Sequence, residues 1–483
     1  MVQRLIRFVI LRLVWLFYPR IEIQGREHLP GAGPVIFVLN HPNGLLDPLV
    51  LMARINRQIA FLAKSTFFAN PLGRICMDAF GALPVFRQRD RGLPGGPEDN
   101  PLASNEATFA RCRALLRQEK ALALFPEGTT HSGTTLLPLR TGAARIALGA
   151  EAEADWQLGV QLVPIGLWYQ NKTLFRSAAL LVVGQPFGLA EYASSYTAQP
   201  GQAVRALTER IATHLDSVVL QAENAELLTG MPVLAAWTAP GGPPLSLTQQ
   251  HERTAALLAA YRRLAATDPE RAAELAQQAR RYARTLRTLG IDDPWALELA
   301  AVRPGPLVKQ LLILLLCAPF ALVGLILTYG PYRLSGYISP PMVGRHDTLL
   351  GTGKLIVGSA LVLLGWLFAA ILIGVYWGVL AGVLIFLAAP ILAYCALRWG
   401  EMWRELREAL VSNWIRTQHQ TLAQGLIMRR QALAAQILAA LQAINDTPPA
   451  PDVVAPQATA PSPHSGITYA VAKPEVDSKP DDT

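Results

Sequence analysis

The chain has 483 residues, of which 51% are hydrophobic and only 16% charged, with a formal net charge of +8. That balance excludes a disordered chain and is too apolar for an ordinary soluble enzyme; it points to residence at a membrane. The basic excess suits anionic lipid rather than nucleic acid.

Residues 1–19 open on an apolar helix broken by Arg4, Arg7 and Arg12, which share one broad arc at ~100° per residue. No small-residue cleavage site follows. The pattern predicts an interfacial membrane-anchoring helix with its arginines at the headgroups. Residues 20–230 predict an α/β domain. Strand-like runs at 35–39, 59–63, 121–125, 162–169 and 180–183 alternate with helical stretches such as 106–118 and 141–150. Such alternation implies a mixed or largely parallel sheet flanked by helices.

Residues 231–240, punctuated by proline and extended by Gly241-Gly242-Pro243-Pro244, read as a linker. The region 245–300 holds two amphipathic helices, about 246–266 and 268–289. The second carries Arg280, Arg284 and Arg287 on one face, which could meet anionic lipid or simply water. Residues 305–398 read as a transmembrane region of about three spans. The run 307–328 is long enough to cross once. The run 355–397 would be ~65 Å long as one helix, twice the bilayer core, so it should turn back near 374–378. Between them, 332–354 reads as interfacial or outside the membrane. A C-terminal helix over 399–445 precedes a tail, 446–483, whose Pro, Ala, Ser and Asp predict disorder. Three crossings would put the α/β domain and that helix on opposite sides of the bilayer; one re-entrant piece would return them to the same side. Cys76, Cys112, Cys317 and Cys395 form no Cys-x-x-Cys motif and read as reduced packing residues, consistent with a domain facing a reducing cytosol.

Four segments carry chemistry. In Asn40-His41-Pro42-Asn43-Gly44-Leu45-Leu46-Asp47-Pro48 an apolar run ends in a Pro- and Gly-bearing turn that presents a histidine and a carboxylate. Hydrogen-bonded to Asp47, the His41 imidazole would be fixed in one tautomer, leaving its second nitrogen to take a proton from an alcohol. Asp47-Pro48 would equally suit a helix start, with Asp as N-cap and Pro at the first position. In Gly81-Ala82-Leu83-Pro84-Val85-Phe86-Arg87-Gln88-Arg89, Arg87 and Arg89 could grip a phosphate, with Lys64 adding charge. In Phe125-Pro126-Glu127-Gly128-Thr129-Thr130, Glu127 and the two hydroxyls could orient a polyol, with Gly128 letting the main chain come close. In Leu162-Val163-Pro164-Ile165-Gly166-Leu167, Pro164 suggests an edge or bulge and Gly166 a close approach by ligand or backbone.

In this order the four segments resemble the glycerolipid acyltransferase family, which includes glycerol-3-phosphate and lysophosphatidic acid acyltransferases. The stretch Leu139-Arg140-Thr141-Gly142-Ala143-Ala144-Arg145 resembles the family segment after the third block, and the likeness covers roughly residues 5–215. It implies a glycerol-3-phosphate acyltransferase-like α/β fold. His41 would be the catalytic base, Asp47 its orienting carboxylate and Arg87 the phosphate holder; Glu127 and Gly128 would fall in the acceptor block, and Pro164 in the fourth. There are two departures: five residues rather than four separate His41 from Asp47, and Pro84 stands where phenylalanine is usual. Both resemble a subgroup near fungal glycerol-3-phosphate/dihydroxyacetone-phosphate acyltransferases. The implied reaction moves an acyl group from acyl-CoA or acyl carrier protein to glycerol-3-phosphate or lysophosphatidic acid in phospholipid synthesis, with no bound cofactor or metal. The catalytic domain would face the cytoplasm. Acyl transfer to another lysolipid, a hydrolase, and a membrane scaffold with an inactive head are the alternative readings.

Overall fold

The computed structural model describes residues 2–87, 90, 92–96, 101–239, 245–291, 294–298, 304–343 and 347–446. Arg89, the glycine–proline run at 241–244 and the tail from 447 lie outside the described residues. Helix α1 (Val2–Phe17) leads into strand β1 (Arg20–Gln24). Then come β2 (Val35–Leu39), α2 (Leu46–Arg54), β3 (Ile59–Lys64), α3 (Pro71–Ala79), β4 (Ala82–Val85), α4 (Pro101–Arg117) and β5 (Ala121–Leu124). Helix α5 (Gly142–Ala152), β6 (Gln161–Tyr169), β7 (Ala178–Val183), α6 (Ala193–Ala198) and α7 (Pro200–Asp216) complete the domain.

The seven strands form one sheet in the order β1-β7-β6-β2-β5-β3-β4, parallel throughout except for β6 against β7. Successive side chains of a strand face opposite ways, so each strand feeds two cores. Phe37 and Leu39 join Val14 and Phe17 of α1, Leu49 and Val50 of α2 and Met77 of α3 on one face. Ile36 and Val38 join Leu116 of α4, Ile146 of α5 and Leu207 and Ile211 of α7 on the other. The interior strands are apolar on both faces, as a sheet covered twice requires. Strands β1 and β4 add an edge at each side beyond the five runs predicted from sequence.

Pro164 does not sit at an edge. It lies within β6, between β7 and β2, opposite Val38. The proline is tolerated because the β6–β7 register stops at Ile165–Val183; beyond it, the Gly184 N–H still donates to the Pro164 carbonyl at 2.9 Å. Gly166 is the position of close approach. A Cβ there would collide with the main chain of Val218, just past α7.

The predicted linker is a helix, α8 (Ala225–Trp237), which contains Pro232. Asn224 caps it, and Met231, Ala235 and Trp237 are buried. Tertiary packing overrides the proline signal there. Helices α9 (Leu247–Thr267) and α10 (Pro269–Leu289) follow, with Ser246 and Gln249 forming a reciprocal capping box on α9.

Three helices are long and apolar enough to cross a membrane: α11 (Pro304–Val343), α12 (Leu350–Trp377) and α13 (Val379–Gln418). The stretch from 332, expected to be interfacial or outside the membrane, is helical as far as Val343, and α13 runs beyond 398, past the expected domain boundary. Gly378, at φ +92°, turns α12 back into α13, and Gly382 abuts Ala370 and Gly374 across the hairpin. The first part of α11 runs antiparallel to α13: Gln310 Nε2 donates to the Met402 carbonyl at 3.1 Å and Trp399 Nε1 to that of Leu314 at 2.9 Å. Its later part runs antiparallel to α12, where Trp366 Nε1 donates to Thr328 Oγ1 at 3.4 Å and Ser335 packs on Gly358. A straight helix cannot oppose both arms of a hairpin, so α11 bends between them. Gly330-Pro331 supplies the break, because Pro331 has no N–H for the Leu327 carbonyl. The last helix, α14 (Gln420–Asp446), turns away at His419 and packs on α8, α9 and α10 through Leu426, Leu433 and Ile437.

Candidate active site

The parallel strands β2, β5, β3 and β4, with β6, all end at one edge of the sheet, where an open α/β sheet builds its sites. The loop after β2 carries His41. Asn40 anchors its start by bonding the Leu167 main chain twice, accepting from its N–H at 2.7 Å and donating to its carbonyl at 3.2 Å. The loop then turns through Gly44, at φ +55°, into α2. Helix α2 begins one residue before Asp47, so that side chain does not cap it. Asp47 bends back instead, and Oδ2 accepts both His41 Nδ1 and the Asn43 N–H at 2.8 Å. Tyr169, at the end of β6, donates its hydroxyl to Oδ1 at 2.7 Å. Asp47 is 0% exposed, yet both oxygens are satisfied, and the first turn of α2 favours its negative charge. Burial, reinforced by that charge, holds the Tyr169 phenol well above its usual range, so it remains a donor.

Nδ1 being committed to Asp47, the other ring nitrogen of His41 is the one left for chemistry. It has no hydrogen-bond partner among the described residues, and the ring stacks on Phe125 at 4.1 Å between centroids. The arrangement can serve as a base with an orienter, differing from a hydrolase triad in that no serine bonds this histidine among the described residues.

Behind the histidine lies Glu127, after β5, only 3% exposed. It accepts the His41 N–H at 3.0 Å through Oε1, and the Leu137 N–H at 3.0 Å and His131 Nε2 through Oε2. Glu127 therefore braces the two loops. A direct bond to a substrate hydroxyl, as expected from sequence, would have to displace one of these. Gly128, at φ +67°, lets Arg140 lie across the loop: a Cβ there would stand 3.1 Å from Arg140 Cγ. Thr129 stays in the same loop, its hydroxyl 3.5 Å from the Thr130 carbonyl.

The basic residues lie farther along the same edge. Lys64 ends β3 and pairs with buried Asp90 at 3.2 Å, which offsets its charge. Arg87 follows β4, three strands from β2, or ~14 Å at ordinary strand spacing. The structure thus gathers His41, Asp47, Glu127, Gly128 and Thr129, sets Lys64 and Arg87 along the edge, and leaves Pro164 in the sheet five residues short of it. Tyr169, Asn43, Phe125 and His131 complete the cluster without having been singled out in the sequence. His131, four residues after Glu127, could have been noticed from its neighbourhood alone. No group of three or more histidine, cysteine or carboxylate side chains is placed to hold a metal among the described residues.

An acyltransferase family profile matches residues 20–168, the span from β1 to the end of β6 that builds this site. A glycerol-3-phosphate O-acyltransferase of Saccharomyces cerevisiae is 30% identical over 41% of this chain and 26% of its own length. Residues 20–168 thus match the acyltransferase family, and over this region the chain is similar to glycerolipid acyltransferases. An uncharacterised acyltransferase of Schizosaccharomyces pombe is 24% identical over 81% of this chain and 73% of its own length, so that likeness extends past the α/β domain. A human 1-acyl-sn-glycerol-3-phosphate acyltransferase is 27% identical over 34% of this chain and 50% of its own length. The chain thus spans about a quarter of the budding-yeast relative and half of the human one.

Proposed function

We propose that the protein is a membrane-bound O-acyltransferase that moves a fatty acyl group from a thioester, acyl-CoA or acyl carrier protein, to the hydroxyl of glycerol-3-phosphate or lysophosphatidic acid in phospholipid synthesis. The observation that carries this is the buried, doubly satisfied Asp47 holding His41 by Nδ1, with the other ring nitrogen unbonded. His41 removes the acceptor's hydroxyl proton as the oxygen attacks the thioester carbonyl. A C–O bond forms, the C–S bond breaks, and the departing thiolate recovers the proton from the imidazolium.

The acceptor's phosphate supplies the second anchor. An arginine side chain and a glycerol phosphate together cover the ~14 Å between β2 and β4, so Arg87 can hold the phosphate while the hydroxyl lies at His41. Arg140, exposed beside Gly128, offers a second guanidinium nearer the base. Lys64, already countered by Asp90, adds less. The fungal resemblance favours glycerol-3-phosphate as acceptor. A catalytic domain on the cytoplasmic face would meet both soluble substrates, and the bilayer would receive the product.

The test is purified enzyme in vesicles, one labelled thioester donor and a panel of acceptors. Acylation of a phosphorylated glycerol is the expected result, with His41→Ala slower by a hundredfold to ten-thousandfold, roughly the contribution of a positioned base. Wild-type rates in that variant would overturn the mechanism.

A further inference from the structure

The catalytic loop is covered by the membrane region. Thr348, just ahead of α12 and 3% exposed, donates its hydroxyl to Thr130 Oγ1 at 3.3 Å. Thr130 belongs to the loop that Glu127 ties to the His41 main chain, and the His131 N–H reaches the His41 carbonyl at 3.4 Å. On the other side of the base, Gly44 has no side chain where the membrane segment lies. A Cβ there would stand 2.7 Å from Leu349 Cδ2 and 3.3 Å from the Thr348 carbonyl. Gly351 meets the same loop: its Cβ would stand 2.8 Å from Asn43 Oδ1 and 3.0 Å from the Lys172 carbonyl. Lys354 Nζ donates to the Thr173 carbonyl at 3.0 Å. Four residues within seven are thus seated on the loops after β2, β5 and β6, and two glycines permit the approach.

We propose that Thr348, supplied by the membrane region, is an acceptor-positioning residue of the active site. It would act through Thr130, whose hydroxyl it orients at the edge where the acceptor's polar end lies between His41 and the guanidinium groups. The catalytic domain would then be incomplete without the start of α12. This rests on the acyl-transfer reading above. The thioester's apolar chain has no call on a threonine pair, so the two substrates should respond differently to its loss.

The experiment uses the full-length protein in vesicles, with initial rates measured against acceptor and donor separately. For Thr348→Val, the acceptor KM should rise about threefold to tenfold, the range of one lost neutral hydrogen bond, while the donor KM moves less than about twofold. Thr348→Ser should restore the acceptor KM. Equal changes in both KM values, no change in either, or failure of serine to rescue would each overturn the proposal. Should Thr348→Val not fold, Thr130→Val, which removes the same bond from the other side, must give the same acceptor-only effect, and its failure to do so is equally decisive. An inactive wild type would instead refute acyl transfer itself, so the two failures are distinguishable.

Discussion

Glu127 shows how a side chain read as a substrate ligand can be structural. Its two oxygens take three internal donors, and no water-filled surface competes for them. In Glu127→Gln one oxygen becomes an NH2 that must face an N–H, so a buried donor is left unsatisfied. Unfolding stability should fall by about 1–3 kcal/mol, with a lower kcat as the His41 loop loosens. Thermal unfolding in detergent alongside turnover checks this; an unshifted melting temperature would show that the carboxylate is not bracing the loops. His41 and Asp47 were legible in sequence because a Pro- and Gly-bearing loop lets residues six apart meet. Tyr169 was not, for it lies 122 residues from Asp47 and reaches it only because β6 pairs with β2.

At the scale of elements, the apolar runs of β2, β3, β5, β6 and β7 stand out because both sheet faces are covered. Strand β1, Arg20-Ile21-Glu22-Ile23-Gln24, is half polar, and β4 contains Pro84; each is a strand because a neighbour offers it an edge. Helix α8 escapes sequence reading for the same reason, its Pro232 being outweighed by the packing of Met231 and Trp237. Helix α9 brings a pH dependence. His251 is 6% exposed, neither ring nitrogen is bonded, and it faces the Trp168 ring of β6 at 6.1 Å. Burial lowers its pKa from 6.5 to about 4. Between those values the unfolded chain binds the proton and the folded one does not, so stability is retained above pH ~6.5 and lost as pH falls toward ~4, by about 3 kcal/mol in full. The melting temperature should therefore drop between pH 7 and pH 5, and His251→Leu should flatten that drop. An identical slope in the variant would remove His251 as the cause.

Across the whole molecule, the packing of the three apolar helices predicts a re-entrant arrangement rather than three crossings. Both ends of the α12–α13 hairpin return to the α/β domain, through Lys354 on the Thr173 carbonyl and Glu401 on Arg176 at 2.6 Å, the start of α11 lies beside them with Gln310 on the Met402 carbonyl, and α14 packs beside α9 and α10. An odd number of crossings cannot do this; a bent, re-entrant α11 with an α12–α13 hairpin can. The count was not legible because hydropathy measures length and apolarity, and the bend at Gly330-Pro331 appears only in what each half of α11 touches. Cysteines placed singly at Gln202 and Thr417 should react with an impermeant maleimide from one side of sealed vesicles, and one at Trp377 only from the other. Labelling of Thr417 and Trp377 from the same side would exclude this topology.

Helix α13 passes from Val379, at the far tip of the hairpin, through Pro390 to Gln418 among the outer helices, 40 residues and ~60 Å. It is a lever with one arm in lipid and the other in the protein. A thicker or thinner bilayer changes the tilt at which the hairpin is comfortable, and a helix shared by both regions carries that tilt outward. The same hairpin begins on the loop that carries His41, so membrane thickness has a mechanical line to that imidazole.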